Sequence, residues 1–166
     1  MSRLLPTLIC LIVIFIAFAL IRRGWASRKK RQESFGALAE VPARFDQETP
    51  VKVINGTYVS TTESSDWLNR ISTDTLGYKA SARLLIYPDA LIIERTGEKD
   101  IFLTAAEILA VKTANGVAGK FVEKDGLLQI SWMLGELAVD TSFRTQHAQE
   151  KDEAIALLQQ LSSRSS

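Results

Sequence analysis

One cysteine and one histidine stand among 166 residues, and each scarcity closes off a class of chemistry. Cys10 has no second thiol to meet, which excludes an intrachain disulfide and a cysteine-built zinc site and suits a reducing compartment. His147 has no Cys, His or paired acid at ligand spacing, so it reads as a capping or solvent-facing residue rather than a metal ligand. No serine sits in a Gly-x-Ser-x-Gly setting, and a hydrolase triad therefore lacks its nucleophile elbow. Gly116-Val117-Ala118-Gly119-Lys120 ends in Gly-Lys, yet Ala114 replaces the first glycine of a P-loop and Phe121 its Ser or Thr. Those glycines read as a connection between strands. No catalytic, metal-binding or cofactor-binding residue is assigned.

Charge is also missing from residues 4–21, an apolar run of 18 residues. As a helix it would span about 27 Å, close to the hydrocarbon thickness of a bilayer. Pro6 falls in its first turn, where the absent N–H removes no helical bond. The run is followed by Arg22, Arg23, Arg28, Lys29, Lys30 and Arg31 with no acid among them. Ala17-Phe18-Ala19 resembles a leader cleavage site, but a leader carries its basic residues before the apolar segment, and here they follow it. By the positive-inside rule the expected topology is one crossing of the cell membrane, N-terminus outside and C-terminal domain cytoplasmic, with Trp25 at the headgroup level. The six basic side chains are the expected contact with anionic headgroups, at about 1 kcal/mol each.

Residues 1–31 carry +7, whereas the remainder holds 13 basic against 19 acidic residues, a net of −6. An acidic domain is unsuited to nucleic acid, which demands excess Lys and Arg. The chain divides into an anchor with its basic run (1–31), a linker containing Pro42 and Pro50 (32–50), a single domain (51–163) and a short tail (164–166). Phe35, Leu38, Val41 and Phe45 are the linker's candidates for packing.

From residue 51 the pattern is short runs of period two. Leu128, Ile130, Trp132 and Leu134 share one face of a strand, and Gly135 turns it into 136–143, where Leu137, Val139, Thr141 and Phe143 align. Residues 82–87 and 90–96 flank Pro88-Asp89, and Gly97 leads into 100–103. Runs at 53–62, 108–113 and 121–123 bring the total to about seven strands. Lys124-Asp125-Gly126 is expected to close a hairpin, and Asn55-Gly56-Thr57, formally a glycosylation sequon, is read as a turn. A short helix is expected near residues 66–71, capped by Ser64 or Ser65. After Phe143 the period lengthens: Ala154, Ile155, Leu157, Leu158 and Leu161 make one face of an amphipathic helix, with Thr145 as expected N-cap.

Leu84-Leu85-Ile86-Tyr87-Pro88-Asp89-Ala90-Leu91-Ile92-Ile93, Ile101-Phe102-Leu103, Ile108-Leu109-Ala110-Val111, the stretch from Gly119 to Leu128, Trp132 and Asp140-Thr141-Ser142-Phe143-Arg144 together resemble a bacterial pleckstrin-homology-like (PH-like) domain. More closely, the chain resembles actinobacterial PH-like proteins with one transmembrane helix. The resemblance implies a mainly β fold, a bent seven-stranded sheet or partly open barrel closed by the C-terminal helix. Phosphoinositide-binding relatives place basic residues in an early strand and loop; the matching stretch here has none beyond Lys52, so that ligand is not expected. Lys112, Lys120 and Lys124 are the candidate partner surface, and Tyr58, Trp67 and Trp132 are expected to fill the core or mouth, an exposed Trp67 marking instead a protein contact.

The expected function is a non-enzymatic, membrane-tethered binding or scaffold module with the bilayer and a protein or peptide as partners. The alternative is an accessory subunit of a transport or secretion assembly whose membrane helix is the interaction element. An enzyme would have to draw on scattered carboxylates such as Glu94, Glu98 and Asp100.

Overall fold

A computed structural model describes residues 14–16, 37–117, 120–121 and 126–163. The chain forms two compact units, Met1–Ser34 and Phe35–Ser166. Of the first, residues 14–16 are helical; the rest of the expected membrane span, Trp25 and the six basic residues after the span lie outside the described residues. Among the described residues no helix is long and apolar enough to cross a membrane.

The second unit is a curled antiparallel sheet. Its strands are β1 (Lys52–Glu63), β2 (Asp66–Arg70), β3 (Ala80–Ile86), β4 (Ala90–Arg95), β5 (Ile101–Thr104), β6 (Ile108–Ala114), β7 (Gly116–Val117), β8 (Lys120–Phe121), β9 (Leu127–Leu134) and β10 (Leu137–Thr145), followed by helix α1 (Ala148–Ser163). The main order is β5-β4-β3-β1-β10-β9-β6, with β2 attached to β1 and β7 paired with β8.

β1 organises the sheet because it serves both halves. Its first seven residues pair with β3, and from Gly56 onward it pairs with β10, with a bulge between Tyr58 and Ser60. Asn55-Gly56-Thr57 is thus strand interior, which corrects the expected turn. The glycine is needed for room: a Cβ at position 56 would stand 2.5 Å from the Phe143 ring and collide with the Arg144 carbonyl. Two expected turns are found, with Gly97 (φ 80°) between β4 and β5 and Gly135 (φ 60°) between β9 and β10; Lys124 and Asp125 of the expected third hairpin lie outside the described residues.

The core follows the period-two faces. Leu84, Leu91, Ile93, Ile101, Leu103, Leu128, Ile130, Trp132, Val139 and Phe143 meet inside the sheet, and α1 adds Ala154, Leu158 and Leu161. Lys52 Nζ donates to both carboxylate oxygens of Glu153 at 2.8 Å, tying α1 to the start of β1. Helix α1 begins at Ala148, so Thr145 is not its N-cap; the register holds Thr145 opposite Gly56, and its hydroxyl donates to the His147 carbonyl at 2.9 Å.

β4 is buried on both faces, which explains its unbroken Ala90-Leu91-Ile92-Ile93. Its outer side, Ala90 and Ile92, joins Phe45 and Tyr87 in a second cluster against Val41, Leu85 and Phe102. Leu38 enters the main core. Leu38, Val41 and Phe45 of the expected linker therefore pack on this domain, and Phe35 lies outside the described residues.

The expected helix at 66–71 is β2 instead. The Ile71 N–H donates 3.0 Å to the Thr61 carbonyl, so this backbone completes the free edge of β1 rather than a helical turn. Asp66 Oδ1 accepts the Leu68 N–H at 3.0 Å, a local bond that competes with helix formation.

Candidate functional site

Two connections meet at one end of the sheet, residues 71–79 after β2 and 96–100 after β4, and a buried arginine joins them. Arg95 is 2% exposed. It donates from Nε to the Lys99 carbonyl at 2.8 Å, from Nη1 to the Thr75 carbonyl at 3.3 Å and from Nη2 to the Asp74 carbonyl at 3.0 Å. Its guanidinium carbon lies 4.9 Å from the centre of the Tyr58 ring. Carbonyl dipoles and a π-face thus stabilise a cation that the sequence pattern placed at the end of an ordinary strand.

The arginine holds a strained loop. Asp74 (φ 49°) and Thr75 (φ 58°) both adopt left-handed backbone that side chains disfavour, a cost of order 1–3 kcal/mol each. Asp74 Oδ2 accepts the Leu38 N–H at 3.1 Å, and the Thr75 hydroxyl donates to Glu98. Behind them a polar chain runs inward. Tyr58 Oη donates to the Leu76 carbonyl at 2.6 Å and meets Thr61 Oγ1 at 2.6 Å; Thr61 meets Thr141 Oγ1 at 2.7 Å, which accepts Trp132 Nε1–H at 2.8 Å. Burial pushes the Tyr58 phenol up to about 12, against the opposing pull of the Thr61 hydrogen bond and the Arg95 charge.

On this rigid base sits an exposed apolar tip. β2 pairs with β1 only at Thr62↔Arg70 and Glu63↔Asp66, so Trp67, Leu68 and Asn69 are thrown outward as a bulge. Trp67 is 44% and Leu68 58% exposed. Tyr78, 65% exposed, follows Gly77, whose carbonyl lies within 3.5 Å of Arg70 Nη1. Tyr58 and Trp132 are buried in the core as expected, whereas Trp67 is not.

A second feature is a groove of about 1010 Å3 on the outer face, where β1 leaves β3 for β10. Asn55, Thr57, Ser81, Arg83, Glu94 and Arg144 line it. Arg83 Nε donates to Glu94 Oε2 at 2.6 Å. Of the carboxylates named for an enzyme, Glu94 pairs with Arg83, Glu98 accepts from Thr75 and Asp100 accepts the Arg95 N–H at 3.1 Å. Each serves a structural contact of its own.

Of the expected partner surface, Lys112 is exposed on β6 opposite Gln129. Lys120 lies in β8 with its side chain outside the described residues, and Lys124 lies outside them altogether, so the grouping of the three is not described. Beside Lys112 the sheet edge is guarded: Gln159 Nε2 of α1 donates to the Val111 carbonyl at 3.1 Å. His147 is exposed at the start of α1. The Arg95 staple and the bulge escaped the sequence reading. An arginine at a strand end looks solvated until a loop covers it, and the only signal for the bulge was an apolar pair, Trp67-Leu68, set among polar residues.

The family model described as Bacterial PH domain-like matches residues 35–159, which take in the curled sheet and most of the closing helix. The chain belongs to this bacterial PH-like family. Its match begins before Leu38 and Phe45, consistent with their burial in the domain. No curated protein matches the chain. Among solved structures, Vav1 inhibited by an allosteric inhibitor is similar at 13% identity and a TM-score of 0.41, over 86% of this chain and 34% of that one. The PH-like chain thus spans about a third of that structure's length, and the likeness is too slight to carry any property across. PH-like domains generally bind lipids or proteins.

Proposed function

We propose that this PH-like protein is a non-enzymatic binding module, tethered by residues 4–21 and 22–31 to the inner face of the cell membrane, that docks a protein partner on its β2 tip. The observation that carries the docking surface is the exposure of Trp67 and Leu68 on a bulge whose neighbouring loop is held by Arg95. A pre-ordered apolar tip loses little conformational entropy on binding, and large aromatic side chains are common anchors of interfaces. The net charge of −6 beyond residue 31 disfavours an anionic lipid surface for this end and favours a partner with basic and apolar groups. The basic run keeps the lipid contact. Tethering would raise the effective concentration of the tip for partners at the same membrane.

The test uses the full chain. A reporter fused after Ser166 is expected to be active only in the cytoplasm; activity outside the cell overturns the topology. The double variant W67S/L68S is expected to lose a partner captured by the native chain while keeping its melting temperature. Undiminished capture by that variant, together with loss of function when the membrane helix is exchanged for an unrelated anchor, would favour the transport-accessory reading.

A further inference from the structure

Residues 38–46, downstream of the proposed tether in the chain, form a strap bound to the domain at both ends. Leu38 is 4% and Phe45 5% exposed. Phe45 packs on Tyr87 and Phe102, and Arg44 Nη2 donates to Asp89 Oδ2. At the other end two different loops take the backbone of Leu38: its N–H donates to Asp74 Oδ2 at 3.1 Å, and its carbonyl accepts from Lys99 Nζ at 3.1 Å. Arg95 binds carbonyls of the same two loops, at Asp74, Thr75 and Lys99. Strap, loops and arginine thus close one ring of contacts.

That ring reaches the partner-docking tip. The Tyr78 N–H donates to the Thr75 carbonyl at 3.1 Å, so the exposed Tyr78 takes its position from the segment that the strap clamps. Left-handed backbone at Asp74 and Thr75 persists only where surrounding contacts over-determine it. Lifting the strap removes the Leu38 bond to Asp74 and leaves the strain opposed by Arg95 and the Thr75 bond to Glu98. We infer that the strap regulates the tip: docked, it orders loop 71–79 for the partner, and lifted, it loosens that loop and weakens docking. The inference rests on the proposed docking at β2. Coupling is reciprocal, so a partner on the tip also tightens the strap.

Amide hydrogen exchange of the full chain in detergent reads this coupling without a partner. Leu38→Ala strips the strap's apolar anchor, and Lys99→Met removes one of its bonds while keeping the alkyl chain. In both variants the Leu76 and Tyr78 amides are expected to exchange about tenfold faster, with exchange across β9 and β10 unchanged in Lys99→Met. In the reverse direction Asp74→Gly, which suits left-handed backbone but offers no side-chain oxygen, should speed exchange at Phe45. Asp74→Asn, whose amide oxygen still accepts the Leu38 N–H, should leave Phe45 near its native rate. Native rates at Leu76 and Tyr78 in both strap variants would mean that strap and loop are independent, and equal acceleration at Phe45 in Asp74→Asn and Asp74→Gly would mean that the Leu38 bond is no clamp; either result overturns the inference. Failure of the docking reading shows separately, as undiminished capture by W67S/L68S.

Discussion

The two outer faces of the sheet are both covered, but by opposite physical means. Over β3, β4 and β5 the face is apolar: Leu85, Ile92 and Phe102 lie beneath Val41, Phe45 and Tyr87, with the Phe45 ring 4.6 Å from Tyr87 and 5.4 Å from Phe102. Over β1, β10 and β9 it is polar: Ser60, Thr62, Gln129, Ser131, Asp140 and Ser142 are all buried. Apolar burial is non-directional, so almost any well-shaped cover suffices. Polar burial requires a partner for each atom, and among the described residues the hydroxyls of Ser60, Thr62 and Ser142 have none. The first face therefore stabilises by burial alone, whereas the second depends on how each polar atom is paired.

Several substitutions would break or sharpen that contrast. The largest effect is expected where both faces meet: Gly56→Val drives a side chain into the Phe143 ring and the Arg144 carbonyl and separates β1 from β10. Loss of more than about 4 kcal/mol, enough to abolish cooperative unfolding, should follow. Phe45→Ala strips the apolar cover and is expected to cost about 3–5 kcal/mol in urea titration. Ser142→Ala on the polar face should by contrast be neutral or slightly stabilising, because it removes a buried hydroxyl that has no hydrogen-bond partner among the described residues. A Ser142→Ala cost comparable to that of Phe45→Ala would erase the distinction.

Tyr58 supplies a pH test of the core between the faces. Its phenol titrates near 12 when folded against about 10 when unfolded, so the unfolded chain releases the proton first. The stabilisation is complete below pH 10 and declines as pH rises from 10 to 12, by about 2–3 kcal/mol in all. Tyr58→Phe should remove that slope while losing the bonds to Thr61 and Leu76. The smallest expected loss belongs to the surface: Lys52→Ala breaks the pair with Glu153 and is expected to cost less than about 1 kcal/mol, shrinking in high salt.

Much of the fold could be read from periodicity because alternation states directly which side of a strand meets the core. The β9–β10 hairpin, with Leu128, Ile130 and Trp132 facing Thr141, Val139 and their neighbours inward, is that case. Hairpin turns at Pro88-Asp89, Gly97 and Gly135 were equally local. Misreadings arose where a distant element settled a local choice. Asn55-Gly56 has turn chemistry, yet β3 and β10 both claim its backbone. Residues 66–70 have no strong preference, and the unfilled edge of β1 decided for a strand. The expected lysine surface is a different case: it came from charge alone, and Lys124 and the Lys120 side chain lie outside the described residues.

By itself the sequence determined the separation of a basic, apolar beginning from an acidic domain, the strand alternation and the closing helix, since charge and period act between near neighbours. Only tertiary structure decided that Arg95 is a buried staple, that Trp67 is outside and Tyr58 inside, and that Ser60, Thr62, Asp140 and Ser142 share one patch. Those outcomes depend on residues as far apart as 62 and 140 being brought into register, and no local pattern encodes which polar side of a strand another part of the chain will cover.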